Sequence, residues 1–232
     1  MTRNRGGTRT ALARRRARGE RGTAMLELAI IVLPLFLIAA GILEIGLLYR
    51  SGSLTNSASR SGARLASSIW ATTPDATSAS VAGKINDCTN NTPPGVCANT
   101  SAMNQIRLAV ETDLSVRRTQ DTPVELWIYK SFTNGSPCST SACTTGTSFA
   151  TCPTATCVRL TWNSVTSHFV YSSGSWTDED ACGKVIDSLG VYVKMNHQSL
   201  TKTGFGSSTI NEKTVIRLEP LPFDKCNGEA QP

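Results

Sequence analysis

The residues in this chain able to do chemistry are eight cysteines, two histidines and a few carboxylates in unusual company. Cys88, Cys97, Cys138, Cys143, Cys152, Cys157, Cys182 and Cys226 form an even set. Two chemistries suit them, disulfide bonding and zinc binding. Zinc would use Cys138, Cys143, Cys152 and Cys157, whose gaps of about four residues reach the wide limit of usual zinc spacing. Disulfides fit better. Local pairs such as Cys88 with Cys97, Cys138 with Cys143 and Cys152 with Cys157 would close short, turn-rich loops, leaving Cys182 with Cys226, although the count alone permits many other pairings. The histidines stand apart, His168 between expected strands and His197 just beyond one, and both are expected at the surface. The sequence contains no nucleophile elbow, metal-binding histidine pair or phosphate-cradling glycine loop, so no catalytic residue, cofactor or metal ligand is assigned. Asp178-Glu179-Asp180 lacks the spaced ligands of a calcium loop and reads as a solvated turn.

Two further carboxylates, Glu27 and Glu44, draw attention because of the element that carries them. No Lys or Arg occurs between Arg21 and Arg50, and Leu28 to Tyr49 is apolar or small apart from Glu44. That matches the ~20 residues needed to cross a bilayer core. The net charge of +6 belongs to the segment before it: residues 1–22 hold eight arginines against the single acid Glu20, leaving 15 basic and 16 acidic residues elsewhere. A basic flank followed by an apolar span anchors a membrane protein with its N-terminus in the cytoplasm and the remainder outside, and nucleic-acid binding is not expected. The external compartment favours disulfides over zinc. A cleaved secretory signal is the competing reading, with Leu28 to Ile38 as its core and Ala39-Ala40-Gly41 as its cleavage site, but the charged region before it is long and carries Glu27. Arg14-Arg15-Arg16 stands too far from the apolar run for twin-arginine export.

An ionised glutamate left unpaired deep in lipid costs roughly 2.5–3.5 kcal/mol or more. Glu27 and Glu44 are 17 residues apart, about 25 Å along a helix, so they occupy opposite interfaces. Pro34 removes one backbone hydrogen bond and is expected to bend the helix in its inner half. Past the membrane, Leu54, Ala58, Leu65 and Ile69 recur at helical spacing while Arg60 and Arg64 share the adjoining face, so the helix is expected to run on to about Ile69. Its small residues Ser51, Gly52, Ala58, Ser61, Gly62 and Ala63 admit close approach by the domain's own sheet or by another subunit.

The run Glu20-Arg21-Gly22-Thr23-Ala24-Met25-Leu26-Glu27 resembles the cleavage site of prepilins. In register with it stand Glu27-Leu28-Ala29, Leu33-Pro34-Leu35, Gly41-Ile42-Leu43-Glu44-Ile45-Gly46 and Asn56-Ser57-Ala58-Ser59-Arg60-Ser61-Gly62-Ala63-Arg64-Leu65-Ala66. Together these resemble the TadE-like family of pilus assembly proteins, over roughly residues 20 to 66; Leu28 and Ile45 replace the aromatic residues usual there. The resemblance implies a minor pilin-like (pseudopilin) component of a tight-adherence (Flp), type IV-like pilus, acting in assembly or adhesion. It implies cleavage by prepilin peptidase between Gly22 and Thr23, which makes Glu27 the fifth mature residue and gives it the new amine of Thr23 as a partner. It also implies contact with other pilins or pseudopilins and the assembly platform, in the inner membrane. The alternative is an uncleaved single-pass protein whose external domain binds a partner or surface.

Four regions follow: a basic cytoplasmic leader at 1–22, a transmembrane and extended helix at 23–70, a linker with a short helix and turn at 71–100, and an extracytoplasmic domain at 101–232. Ala71 to Ala79 reads as linker, Ser78 to Asn86 and Ala102 to Asp113 as short helices, and Asn90 to Gly95 as a turn. Period-two alternation predicts four strands, with Val124, Leu126 and Ile128; Val158, Leu160 and Trp162; Leu189, Val191, Val193 and Met195; and Thr214, Ile216 and Leu218 each on one face. The expected fold class is α+β: a long membrane helix, then a small, mostly antiparallel, disulfide-braced sheet with one buried face under short helices and one wetter face.

Overall fold

The computed structural model describes residues 8–72, 102–174, 186–200 and 206–219. It divides into two compact units, Met1–Leu47 and Leu48–Pro232. The expected helix at Ser78 to Asn86, the turn at Asn90 to Gly95, most of the linker, the acidic run Asp178 to Asp180 and Cys88, Cys97, Cys182 and Cys226 lie outside the described residues.

Helix α1 spans Thr8–Thr72 and runs unbroken through Pro34. In the first unit its apolar side chains are exposed: Met25, Phe36 and Leu43 are 74%, 71% and 65% accessible. No soluble packing accounts for such a surface, and among the described residues this one helix is long and apolar enough to cross a membrane.

The second unit is the expected α+β layer. Helix α2 (Ala102–Leu114) forms where Ile106, Val110 and Leu114 recur every fourth residue, and all three are fully buried. Strands β1 (Asp121–Lys130), β2 (Cys157–Asn163), β3 (His168–Ser173), β4 (Ser188–Gln198) and β5 (Ser207–Arg217) form one sheet in the order β3-β2-β1-β4-β5. Every neighbouring pair is antiparallel. On the covered face Leu126, Ile128, Val158, Leu160, Leu189, Val191, Val193 and Met195 meet Ala58, Ala63 and Ala66 of α1 and the apolar stripe of α2.

Three details depart from the sequence reading. A fifth strand, β3, is present; its sequence, HFVYSS, has one buried side chain, Phe169, and ends in serines, so alternation is too short to reveal it. His168 therefore begins a strand instead of lying between strands. Val124 leaves the face of Leu126 and Ile128, because Pro123 pairs with Met195 and Glu125 with Lys194, making Val124 the extra residue of a bulge. Pro123 lacks an N–H for the ladder, and a bulge is where a central strand tolerates that loss.

The second face is drier than its alternation implied. Trp127, Tyr129 and Tyr192 are buried there, with Phe149 from the β1–β2 connection lying over them. Phe149 stacks on Tyr192 at 4.9 Å between ring centroids and meets Tyr129 edge-on at 5.6 Å. Disulfides Cys138–Cys143 and Cys152–Cys157, with Cα separations of 4.9 and 5.5 Å, brace that connection. These four cysteines are the set considered for zinc, and pairing leaves them no thiolate to offer.

Candidate functional site

The residues singled out by the sequence for function gather on α1, and each unit uses the helix differently. In the first, Gly22 and Thr23 lie within continuous helix. Glu27 and Pro34 are exposed. Glu44 is only 6% exposed although its neighbours Leu43 and Ile45 are 65% exposed.

In the second unit, α1 turns a face of small and hydroxyl residues to the sheet. Ser51, Thr55, Ala58, Ser59, Ala63 and Ala66 are all buried. Short side chains bring the helix backbone close to the strands, and the hydroxyls find partners there. Thr55 Oγ1 donates to the Ser51 carbonyl at 2.8 Å, and Ser59 Oγ lies 2.8 Å from Thr214 Oγ1. Gly62 marks the closest approach: a Cβ built there would stand 2.7 Å from Val110 Cγ2 and 3.3 Å from Val191 Cγ1. Of the small-residue stripe, Ser51, Ala58, Gly62 and Ala63 thus pack within the domain, whereas Gly52 faces open space and Ser61 donates to Asp113 Oδ2 at 2.6 Å. Arg60 and Arg64 project outward.

A cluster that the sequence reading missed sits at the start of this face. His197 Nδ1 lies 2.7 Å from Asp121 Oδ1, and Ser51 Oγ donates to Asp121 Oδ2 at 2.8 Å. All three residues are buried, which corrects the surface placement of His197. His197 also lies inside β4 and not beyond it, opposite Asp121 in the β1–β4 register. One signal was available: His197 continues the alternation Leu189, Val191, Val193, Met195, which points it inward. Serine, histidine and aspartate in contact invite a hydrolase reading, and the geometry refuses it. A catalytic imidazole bridges the aspartate and the serine through its two different nitrogens. Here Nδ1 carries the hydrogen given to Asp121, and Ser51 spends its own hydrogen on the same carboxylate. The cluster joins α1, β1 and β4 by satisfying a buried acid.

The far end of the sheet is tied by a second acid. Glu111 of α2 accepts the Arg107 guanidinium at 2.7 and 2.8 Å, the backbone N–H of Phe169 at 2.7 Å, and faces His168 Nδ1 at 2.9 Å. His168 is exposed, as expected. On the aromatic face, Trp127 Nε1 and Arg159 Nη2 donate to the two oxygens of Glu125. Burial, and then the neighbouring Tyr192, push the Tyr129 phenol well above its ordinary range; burial, and then Glu125, raise Tyr192.

An apolar helix of spanning length, continuous in sequence with a helix-covered antiparallel sheet, fits a single-pass membrane protein with one attached α+β domain. The family model described as TadE-like protein matches residues 22–64. Over that segment the chain is similar to TadE-like proteins. The match begins at Gly22, ends at Arg64 and covers α1 alone. No curated protein and no solved structure matches the chain.

Proposed function

We propose that this chain is a minor pilin-like subunit of a tight-adherence, type IV-like pilus, held in the inner membrane by α1 with its N-terminus cytoplasmic and its sheet domain outside. Prepilin peptidase cuts between Gly22 and Thr23, and the mature helix joins other pilins at the assembly platform, where the domain serves assembly or adhesion. The observation that carries this reading is the coincidence of the TadE-like match, starting at Gly22, with the exposed apolar run of α1.

Removing the leader creates an amine at Thr23 about one turn from Glu27, and in a bundle of helices Glu27 of one subunit neutralises that amine on its neighbour. The pairing lowers the desolvation cost of both charges. The direct test is the mass and N-terminal sequence of protein taken from native membranes. The expected mature chain starts at Thr23, and Gly22→Leu retains the leader. A start after Gly41 overturns the proposal in favour of a secretory signal, and an intact leader in the unaltered protein favours the uncleaved, partner-binding alternative. Within the cleaved protein, Glu27→Ala is expected to leave membrane abundance and cysteine oxidation unchanged while abolishing co-purification with the pilus complex, and Glu44→Ala to have the smaller effect on that association. Co-purification of Glu27→Ala at the level of the unaltered protein sinks the charge pairing.

A further inference from the structure

We infer that Arg60 and Arg64 form a docking face for carboxylates presented by a different protein. Within the second unit five cations near the sheet and α2 are engaged, while Arg118, Lys194 and Arg217 have no ion-pair or ring partner among the described residues and do not stand one helical turn apart. Arg107 pairs with Glu111, Lys130 with Asp187 and Arg159 with Glu125, while Arg117 lies over Trp162 and Lys213 over Phe149. Arg60 and Arg64 have no such partner among the described residues, and both are exposed. They stand one turn apart, about 6 Å along α1, on the side opposite the buried face. Exposed Ser53, Ser57 and Ser68 continue the same face, to which α1 contributes no acid. Asp113 of α2 meets its edge, where it accepts hydrogen bonds from Ser57 and Ser61.

Packing explains Gly62 and Ala63 between them, because these fill the approach to Val110 and Val191. It does not explain the arginines, whose removal would leave the core untouched. A guanidinium is weakly hydrated and offers a planar fork to a carboxylate, which makes a pair of arginines one turn apart a fit for two acids at similar spacing. Arginine is also enriched in protein interfaces, where most other charged side chains are depleted. Lipid phosphate is the less suitable anion. Arg60 lies ten residues beyond Arg50, about 15 Å along the helix, whereas the headgroup layer extends only roughly 5–8 Å beyond the hydrocarbon core. The inference does not depend on leader cleavage, so an uncut chain leaves it standing.

The test uses the full chain in its native membrane, with a photoreactive residue at Ser53 or Ser68, on either side of the two arginines. The expected product is an adduct to another protein, with the crosslinked peptide carrying Asp or Glu one helical turn apart. Arg60→Glu combined with Arg64→Glu is expected to reduce it at least ten-fold at unchanged abundance and cysteine oxidation. Exchanging those partner acids for lysine is expected to restore it. An adduct insensitive to the charge reversal, one formed only with lipid or with a second copy of this chain, or none at all, overturns the inference.

Discussion

Gly62 shows how much of this domain depends on one absent side chain. Its hydrogen faces Val110 of α2 and Val191 of β4, so three elements meet where any larger residue would hold them apart. Gly62→Val is expected to destabilise the domain by about 2–3 kcal/mol through overpacking, read from denaturant unfolding of the detergent-solubilised chain. Gly52 lies on the same helix, and a Cβ added there would meet nothing within 4 Å. Gly52→Ala is therefore expected to stabilise by roughly 0.5–1 kcal/mol through helix propensity alone. Tyr129 gives the domain a pH limit. Its ring lies over Gly190, its hydroxyl donates to the Gly135 carbonyl at 2.9 Å, and its phenol holds its proton more tightly folded than unfolded. A folded-state pKa above the ordinary 10.0 means that stability is fully present below that pH and falls as pH rises past it. Unfolding midpoints measured from neutral to strongly alkaline pH are expected to fall in that range. Tyr129→Phe is expected to flatten the decline while costing about 1 kcal/mol at neutral pH from the lost hydrogen bond.

At the scale of elements, the long helix was the most legible because its two signals are one-dimensional: an uninterrupted apolar run, then small residues at helical spacing. The strands β1, β2, β4 and β5 were legible where several apolar residues alternate, and β3 was not, since Phe169 is its single buried side chain. Partners in space are what sequence spacing hides. Asp121 and His197 are 76 residues apart and Ser51 is 70 residues from Asp121, so their cluster follows from the β1–β4 register and from where α1 lies on the sheet. The aromatic face was hidden for a related reason. Trp127, Tyr129 and Tyr192 occupy positions that alternate as the outer set, and only the folded connection carrying Phe149 makes that set dry. That connection is itself an element with a testable brace. Replacing Cys152 and Cys157 by serine is expected to cost about 2 kcal/mol by the loop-entropy relation. Hydrogen exchange should then quicken at the amides of Cys138, Ser139 and Thr147, which bond within the loop and its base, while Val191 and Val193 stay protected.

At the scale of the whole molecule, the division into units does not follow the end of the helix. Leu48 to Ile69 belongs to the unit that contains the sheet, and its alanines sit in the core. A fragment starting at Leu48 is expected to fold cooperatively, with all its cysteines oxidised and none open to thiol labelling under denaturing, non-reducing conditions. A fragment starting at Ala71 lacks one wall of the core and is expected to show non-cooperative unfolding and dye-binding apolar surface.

The hydrogen bond between Ser59 and Thr214 joins residues 155 positions apart. A ribosome completes the helix early and β5, the last of the described strands, late, so the buried face of α1 is the first part of the domain made and among the last to be covered. Throughout that interval its hydroxyls and alanines await a sheet still being synthesised. That face of α1 therefore stays incomplete until β5 has been made and has paired with β4, a contact of long sequence separation from the helix it closes on.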